Sequence, residues 1–352
     1  MKPAFIQGMD VSFLDEIEAA GGTFRDGGAA EDCLDILKAN GVNSIRLRIW
    51  NEPPRTFCNL ERTIGVAKRI KEKGFHFLLD FHYSDMWADP GKQFKPKAWE
   101  TLDLGGLRQA VYDYTAQVMT ALKEAGAAPD MVQIGNEITP GMLWPTGKVD
   151  GEFDTDVQWE ALASLVKAGI DAAKAVDQNV EVMIHIDRGG DNASSVKFYD
   201  RFAALGVDFD TIGLSFYPWW HGTLDDLAAN VNDLALRYGK PIVVVETAYP
   251  WTTEPADGLE FIVTADTPLK TPHPATVEGQ AAYLREFMQT IRGVPNGLGA
   301  GFHWWEPCWI PAKDDWSVGH ANNWSNLTLF DYAGNKLRSV EVLLEDGHPS
   351  NP

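Results

Sequence analysis

The sequence predicts an α/β fold: a single (β/α)8 barrel over residues 1–352, with long loops after the strands forming a substrate cleft. Three observations lead there. Short β-branched runs alternate with amphipathic stretches of helical period. The alternation gives eight strand-helix units with no compositional break or low-complexity linker. Two of the runs end on a glutamate. Met131 to Ile134 leads into Gly135-Asn136-Glu137, and Pro241 to Val245 leads into Glu246. A carboxylate closing a buried strand costs free energy unless something satisfies or uses it. Alternating strand and helix argues a parallel sheet, and eight units argue closure.

The elements follow in order. Phe5–Val11 reads as strand one, and Ala29–Asn40 as a helix with Cys33, Leu34 and Leu37 on one face and Gly41 as its stop. Asn43–Trp50 is strand two, where Arg46 and Arg48 alternate with Ile45, Leu47 and Ile49. A helix over Leu60–Lys73 stops at Gly74, and Phe75–Tyr83 is strand three. Helix Leu107–Ala125 precedes strand four, Met131–Glu137; helix Val157–Val176 precedes strand five, Val180–Asp187. Helix Ser194–Leu205 leads to strand six, Thr211–Tyr217, and helix Thr223–Tyr238 to strand seven, Pro241–Thr247. Helix Thr276–Arg292, strand eight over Leu298–Trp305 and a last helix near Leu337–Leu344 complete the chain.

Composition narrows the function. Formal charge is −20, which repels nucleic acid and anionic membrane and suits a neutral ligand. No run of eighteen apolar residues is present, so no membrane span is expected. Thirteen Trp supply large flat faces, useful both in a core and under a sugar ring. Met1 to Gln7 runs directly into a strand, without a signal peptide. That leaves a cytoplasmic chain or a mature form with its signal trimmed; the location expected is extracellular or periplasmic. Cys33, Cys58 and Cys308 fit neither a disulfide framework nor a metal cluster; one Cys33–Cys58 bridge is left open.

In a barrel of this kind chemistry sits where strands end. Those positions hold Asp10, Arg46, Arg48, Asp80, His82, Tyr83, Asn136, Glu137, His185, Asp187, Tyr217, Glu246, Trp304, Trp305 and Glu306. The loops add Trp87, Trp144, Trp219, Trp220, Trp309 and Trp316. Polar groups converging on two carboxylates inside an aromatic rim describe a sugar cleft. A retaining glycosidase needs one carboxylic acid to protonate the departing oxygen and one carboxylate to attack, about 5 Å apart. Asn136 is then placed for the sugar 2-hydroxyl. Tyr217 is placed to donate to Glu246. Arg46 and Arg48 share one strand face and need carboxylate partners if it faces inward. A structural salt bridge to Asp10 or Asp80 is the simpler account of Arg46. Arg48, nearer the strand end, is assigned to hold the nucleophile ionised. His82 and His185 raise a zinc site, but no His-x-His pair or His-Glu-x-x-His supports it. No Gly-x-Ser-x-Gly elbow, dinucleotide fingerprint or phosphate loop is present.

These residues, in this order, resemble the clan A glycoside hydrolases, with Asn-Glu closing strand four and Glu closing strand seven. More closely the chain resembles glycoside hydrolase family 53, the endo-β-1,4-galactanases. The similar stretches are Asn43–Asn51, His82–Gln93, Ile134–Ile138, Val245–Pro250 and Trp305–Pro311. The resemblance implies retaining endo-hydrolysis of β-1,4-galactan, the side chain of pectin, with Glu137 as acid/base and Glu246 as nucleophile. It implies substrate contacts from Trp87, Asp89, Lys92, Trp144, Asp187, Trp304 and Trp305; the strand-end positions add Arg48, Asn136 and Tyr217, and His82 and His185 as bonding substrate or a catalytic Glu. It implies galactan and galactooligosaccharides as partners, a monomer, and no cofactor. Thr252 to Phe261 lacks the Asp-x-Asp-Gly spacing of a calcium loop, so no metal is expected. Another clan A activity, on mannan or β-glucan, shares the same catalytic pair. A non-catalytic galactan-binding protein would not need both glutamates.

Overall fold

The computed structural model describes residues 3–256, 259–312 and 322–345. Eight parallel strands close into a barrel: β1 (Ile6–Asp10), β2 (Ser44–Ile49), β3 (His76–Phe81), β4 (Met131–Ile134), β5 (Glu181–Ile186), β6 (Thr211–Phe216), β7 (Ile242–Thr247) and β8 (Gly299–Trp305). Each pairs with its sequence neighbours, and β1 closes on β8. Helices lie between consecutive strands, among them Leu60–Glu72, Leu104–Glu124, Asp156–Val176, Asn192–Ala204, Leu224–Tyr238 and Val277–Arg292.

Strand alternation divides the core in two. Ile45, Leu47, Ile49, Phe77, Leu79 and Phe81 face outward and join the large apolar cluster under the helices. Inside the barrel a small plug of Ile6, Leu78, Met131, Met183, Val243 and Val245 fills the lower part. Above that plug the inward positions turn polar: Arg46, Asp80, Gln133, His185 and Ser215, all buried. The apolar plug and helix packing supply stability, which leaves the upper barrel available for charge.

Three local departures from the expected elements have clear causes. Residues Ala29–Glu31 form a strand paired with Phe24–Asp26 rather than the start of a helix. Gly27 and Gly28 both have positive φ and make the two-residue hairpin turn that draws them in. The helix begins at Cys33, where the Asp32 carboxylate accepts from the backbone N–H groups of Leu34 and Asp35. Strand β4 stops at Ile134, because Gly135 and Glu137 take left-handed backbone, φ 80° and 48°. Cys33 lies beside Cys308, Sγ to Sγ 3.1 Å, and all three cysteines are free and buried. Trp316 lies outside the described residues. Among the described residues no helix is long and apolar enough to cross a membrane.

Asp103 caps the Leu104–Glu124 helix, its carboxylate accepting from Gly106 N–H. Asp103→Ala should lower unfolding free energy by about 1 kcal/mol and leave kcat/KM unchanged, as read by urea unfolding and a turnover assay. An equal fall in both would place Asp103 in the functional machinery.

Candidate active site

The upper barrel is built around one guanidinium. Arg46 Nη1 donates to Asp10 at 2.7 Å and to Glu246 at 2.9 Å. Its Nη2 donates to Asp80 at 2.8 Å, Asn136 Oδ1 at 2.9 Å and Gln133 Oε1 at 3.1 Å. Burial opposes the charge on Arg46, but Asp80, Glu246 and Asp10 outweigh it and hold the guanidinium protonated. Asp10 is also held by the Ser12 amide and hydroxyl, and Asp80 by the Gln133 amide at 2.6 Å. The guanidinium that reaches Glu246 is therefore that of Arg46 rather than Arg48. Arg48 instead donates to Glu306 at 2.6 Å and stacks over Phe13 and Trp87. Proximity to the strand end misassigned the pair; the deeper arginine reaches across the barrel because Glu246 also turns inward. In β7 that turn comes from a bulge: Leu214 pairs with Val244, but Ser215 pairs with Glu246. Val245 is the extra residue, so Val245 and Glu246 both face inward.

The two glutamates occupy different surroundings. Glu246 Oε2 accepts from the Tyr217 hydroxyl at 3.0 Å, while Oε1 accepts from Arg46. Glu137 Oε1 accepts from the Ser215 hydroxyl at 2.6 Å. No cation contacts Glu137 among the described residues. Burial, then Glu246 and Asp187, push its carboxyl well above the usual range. Burial also raises Glu246, to about 7, but Arg46 and the Tyr217 hydrogen bond oppose the rise. On deprotonation Glu246 ionises first, leaving Glu137 as the group that keeps its proton.

Both carboxylates line one cavity of about 550 Å³. Arg48, His82, Trp87, Asp89, Lys92, Asn136, Asp187, Tyr217 and Trp305 line it too. His82 Nδ1 accepts from Trp50 Nε1 and the Ala88 amide, which puts its proton on Nε2, 3.1 Å from Asp80. The expected contacts His185, Trp144 and Trp304 do not line the cavity. His185 is fully buried behind it, 2.8 Å from Ser215 and 3.0 Å from Asn136. Trp144 donates to Pro140 O and packs edge-on against Phe94. Trp304 points outward, since alternation turns His303 and Trp305 inward, and its indole donates to Leu327 O.

Arg188, His221, Ile262, Asn323 and Trp324 line the cavity without having been singled out in the sequence. His221 ends the short helix Pro218–His221 and the others come from loops, where no periodicity marks which side chains turn inward. Ser215 did leave a signal, because it lies two positions before Tyr217 on the same strand face. Among the described residues no group of three His, Cys, Asp or Glu is placed to hold a metal. Within the stretch Thr252–Phe261, Asp257 and Gly258 lie outside the described residues.

The model of glycosyl hydrolase family 53 matches residues 6–343. The chain belongs to glycosyl hydrolase family 53. It is 33% identical to the endo-β-1,4-galactanase of Bacillus subtilis, covering 99% of this chain and 88% of that protein. It is 64% identical to an uncharacterized protein of Niallia circulans, covering 97% of this chain and 93% of the other. Among solved structures, the family 53 catalytic domain of Ignisphaera aggregans is 41% identical. It superposes with a TM-score of 0.91 over 97% of this chain and 96% of that one. The family is one of glycosidases, and the closed parallel barrel of this chain is the fold of its solved members.

A stability test follows from the raised Glu137. Its folded carboxyl lies above the unfolded value of about 4.3, so the charged form is penalised in the fold. Stability present below the unfolded value is therefore lost as pH rises toward the folded one. Glu137→Gln removes that loss and keeps an acceptor for Ser215. It should be more stable than the parent by about 1–3 kcal/mol at pH 8, with little difference near pH 4. Thermal unfolding at the two pH values reads this; a constant difference would mean that Glu137 is not raised.

Proposed function

We propose that this protein is an endo-β-1,4-galactanase that hydrolyses galactan and type I arabinogalactan with retention of configuration. Glu246 is the nucleophile and Glu137 the general acid/base. The observation behind these roles is the unequal setting of two glutamates in one cavity: Arg46 and Tyr217 on Glu246, a lone hydroxyl on Glu137. Membership of the family and similarity to the Bacillus galactanase support the substrate.

The reaction follows from that asymmetry. Glu137 gives its proton to the departing glycosidic oxygen while Glu246 attacks the anomeric carbon from the opposite face. Charge leaves Glu246 as the ester forms, and Arg46 and Tyr217 remain placed to receive it when the ester breaks. Glu137, now ionised, takes a proton from water, which attacks the same face the leaving group left. Asn136 uses one amide hydrogen on Ala88 O and keeps the other for the sugar 2-hydroxyl. Trp305 and the exposed Trp220 give flat faces along the cavity wall.

Incubation with β-1,4-galactan, mannan and β-glucan, followed by product sizing, tests the substrate. Galactan oligomers are expected; cleavage of mannan or glucan alone would move the activity elsewhere in the clan. The roles are separated by azide. Glu137→Gly should still attack an aryl galactobioside, accumulate the glycosyl-enzyme, and yield the β-azide. Glu246→Gly should lose turnover and, with azide, yield the α-azide. Swapped anomers in the NMR spectrum would exchange the two assignments.

The pH profile carries a third expectation. kcat/KM should rise as Glu246 loses its proton, about pH 7, and fall at higher pH as Glu137 loses its own. Burial of Glu246 puts that rising limb above the ordinary carboxylate range. A rising limb near pH 4 would show Glu246 to be unperturbed.

A further inference from the structure

Behind Glu137 stands a hydrogen-bonded chain, Ser215 and His185, that does not line the cavity. Ser215 Oγ is 2.6 Å from Glu137 Oε1, and His185 Nε2 is 2.8 Å from Ser215 Oγ. Both Ser215 and His185 are fully buried. Two N–H donors aim at His185 Nδ1, the Gln133 side-chain amide at 3.0 Å and the Glu137 backbone at 3.4 Å. Asn136 Oδ1, also 3.0 Å from Nδ1, accepts from the same Gln133 amide. With Nδ1 accepting, the ring proton sits on Nε2 and points at Ser215 Oγ. Burial, then Arg46 and His82, keep the imidazole neutral. The Ser215 hydroxyl already accepts from His185, so its one hydrogen goes to Glu137 Oε1. Glu137 Oε2 has no protein partner among the described residues and belongs to a residue lining the cavity.

We propose that Ser215, oriented by His185, is a positioning residue that holds the acid proton of Glu137 on Oε2, the oxygen facing the cavity. This rests on the acid/base reading of Glu137. A proton on Oε1 would collide with the hydroxyl hydrogen, and turning that hydrogen away would leave it without an acceptor. The acid is therefore presented toward the glycosidic oxygen without any rearrangement. Once the proton has gone, the same hydroxyl donates to a carboxylate, a stronger bond. That favours the ionised base needed for the water step. The charged groups that act most strongly on Glu137 are Glu246 at the end of β7, Asp187 beyond β5 and Asp89 in the loop after β3; Arg46, Arg48, Lys92, Arg188 and His221 line the same cavity. Those three acids raise Glu137, and among the strongest influences the Ser215 hydrogen bond is the one that opposes them.

The test uses Ser215→Ala and Ser215→Cys, each checked by thermal unfolding, with Glu137→Gln alongside. Ser215→Ala should move the falling limb of kcat/KM upward by about 1–2 pH units and leave the rising limb in place. Galactan turnover should drop about 10- to 100-fold. The burst of 2,4-dinitrophenol from its β-galactobioside, which leaves without protonation, should stay within about twofold. The thiol is a weaker donor, so Ser215→Cys should fall between; it also serves if the alanine variant does not fold. An unmoved falling limb with equal loss on both substrates would reduce Ser215 to a packing residue and overturn the proposal. If Glu137→Gln kept full galactan turnover, the acid/base assignment itself would be wrong. Loss in Glu137→Gln with no change in Ser215→Ala would remove only the role of Ser215.

Discussion

One cation, Arg46, faces three buried carboxylates, Asp10, Asp80 and Glu246. An ion cluster of this kind is costly to bury, and it holds together only because nearly every oxygen has a donor. The sum of charge around Arg46 is still negative. A further carboxylate entering the same field is discouraged from ionising, and Glu137 is that carboxylate. Burial is the first cause of its raised carboxyl, and the negative charge of Glu246 and Asp187 adds to it. The same excess favours a transition state in which the sugar ring carries positive charge. A fully balanced cluster would weaken both effects, leaving burial alone to raise Glu137.

Holding such a site open needs rigid supports. Gln133 spans three strands, reaching Asp80, Asn136 and His185. Glu137 itself sits at φ 48° and Glu306 at φ 51°, backbone that L residues seldom adopt. Such strain persists where surrounding contacts over-determine it. Glu306 is fixed by Arg48 and by the Phe13 amide, and Arg48 is sandwiched against Phe13 and Trp87. Arg48 therefore braces the aromatic wall of the cavity, while Arg46 handles its charge.

The barrel was legible because periodicity and strand-end chemistry agree: short apolar runs alternate with stretches of helical period, and polar or aromatic residues close the runs. The catalytic candidates were legible for the same reason, as carboxylates where apolar strands stop. What escaped was direction. Arg46 and Arg48 lie on one face, and nothing local says which reaches Glu246. Trp304 and Trp305 are adjacent in sequence but point to opposite sides of the sheet. Arg188, Asn323 and Trp324 reach the cavity from loops, whose paths follow no period. The Ala29–Glu31 strand was hidden by helix-compatible composition; only the Gly27-Gly28 turn argues against a helix there.

Strand β6 then explains how two chemically identical side chains come to differ. Ser215 and Tyr217, two residues apart, project to the same side, one hydroxyl onto Glu137 and the other onto Glu246. Without the β7 bulge, alternation would turn Glu246 outward when Val245 faces in, and Tyr217 would have no carboxylate to meet. The bulge brings Glu246 opposite Ser215 and within reach of Arg46. Glu137 reaches its place by a different route, the left-handed backbone after β4. Two irregularities, one at each strand end, thus bring both glutamates into one cavity, and β6 with the residue after it gives each its hydroxyl hydrogen bond.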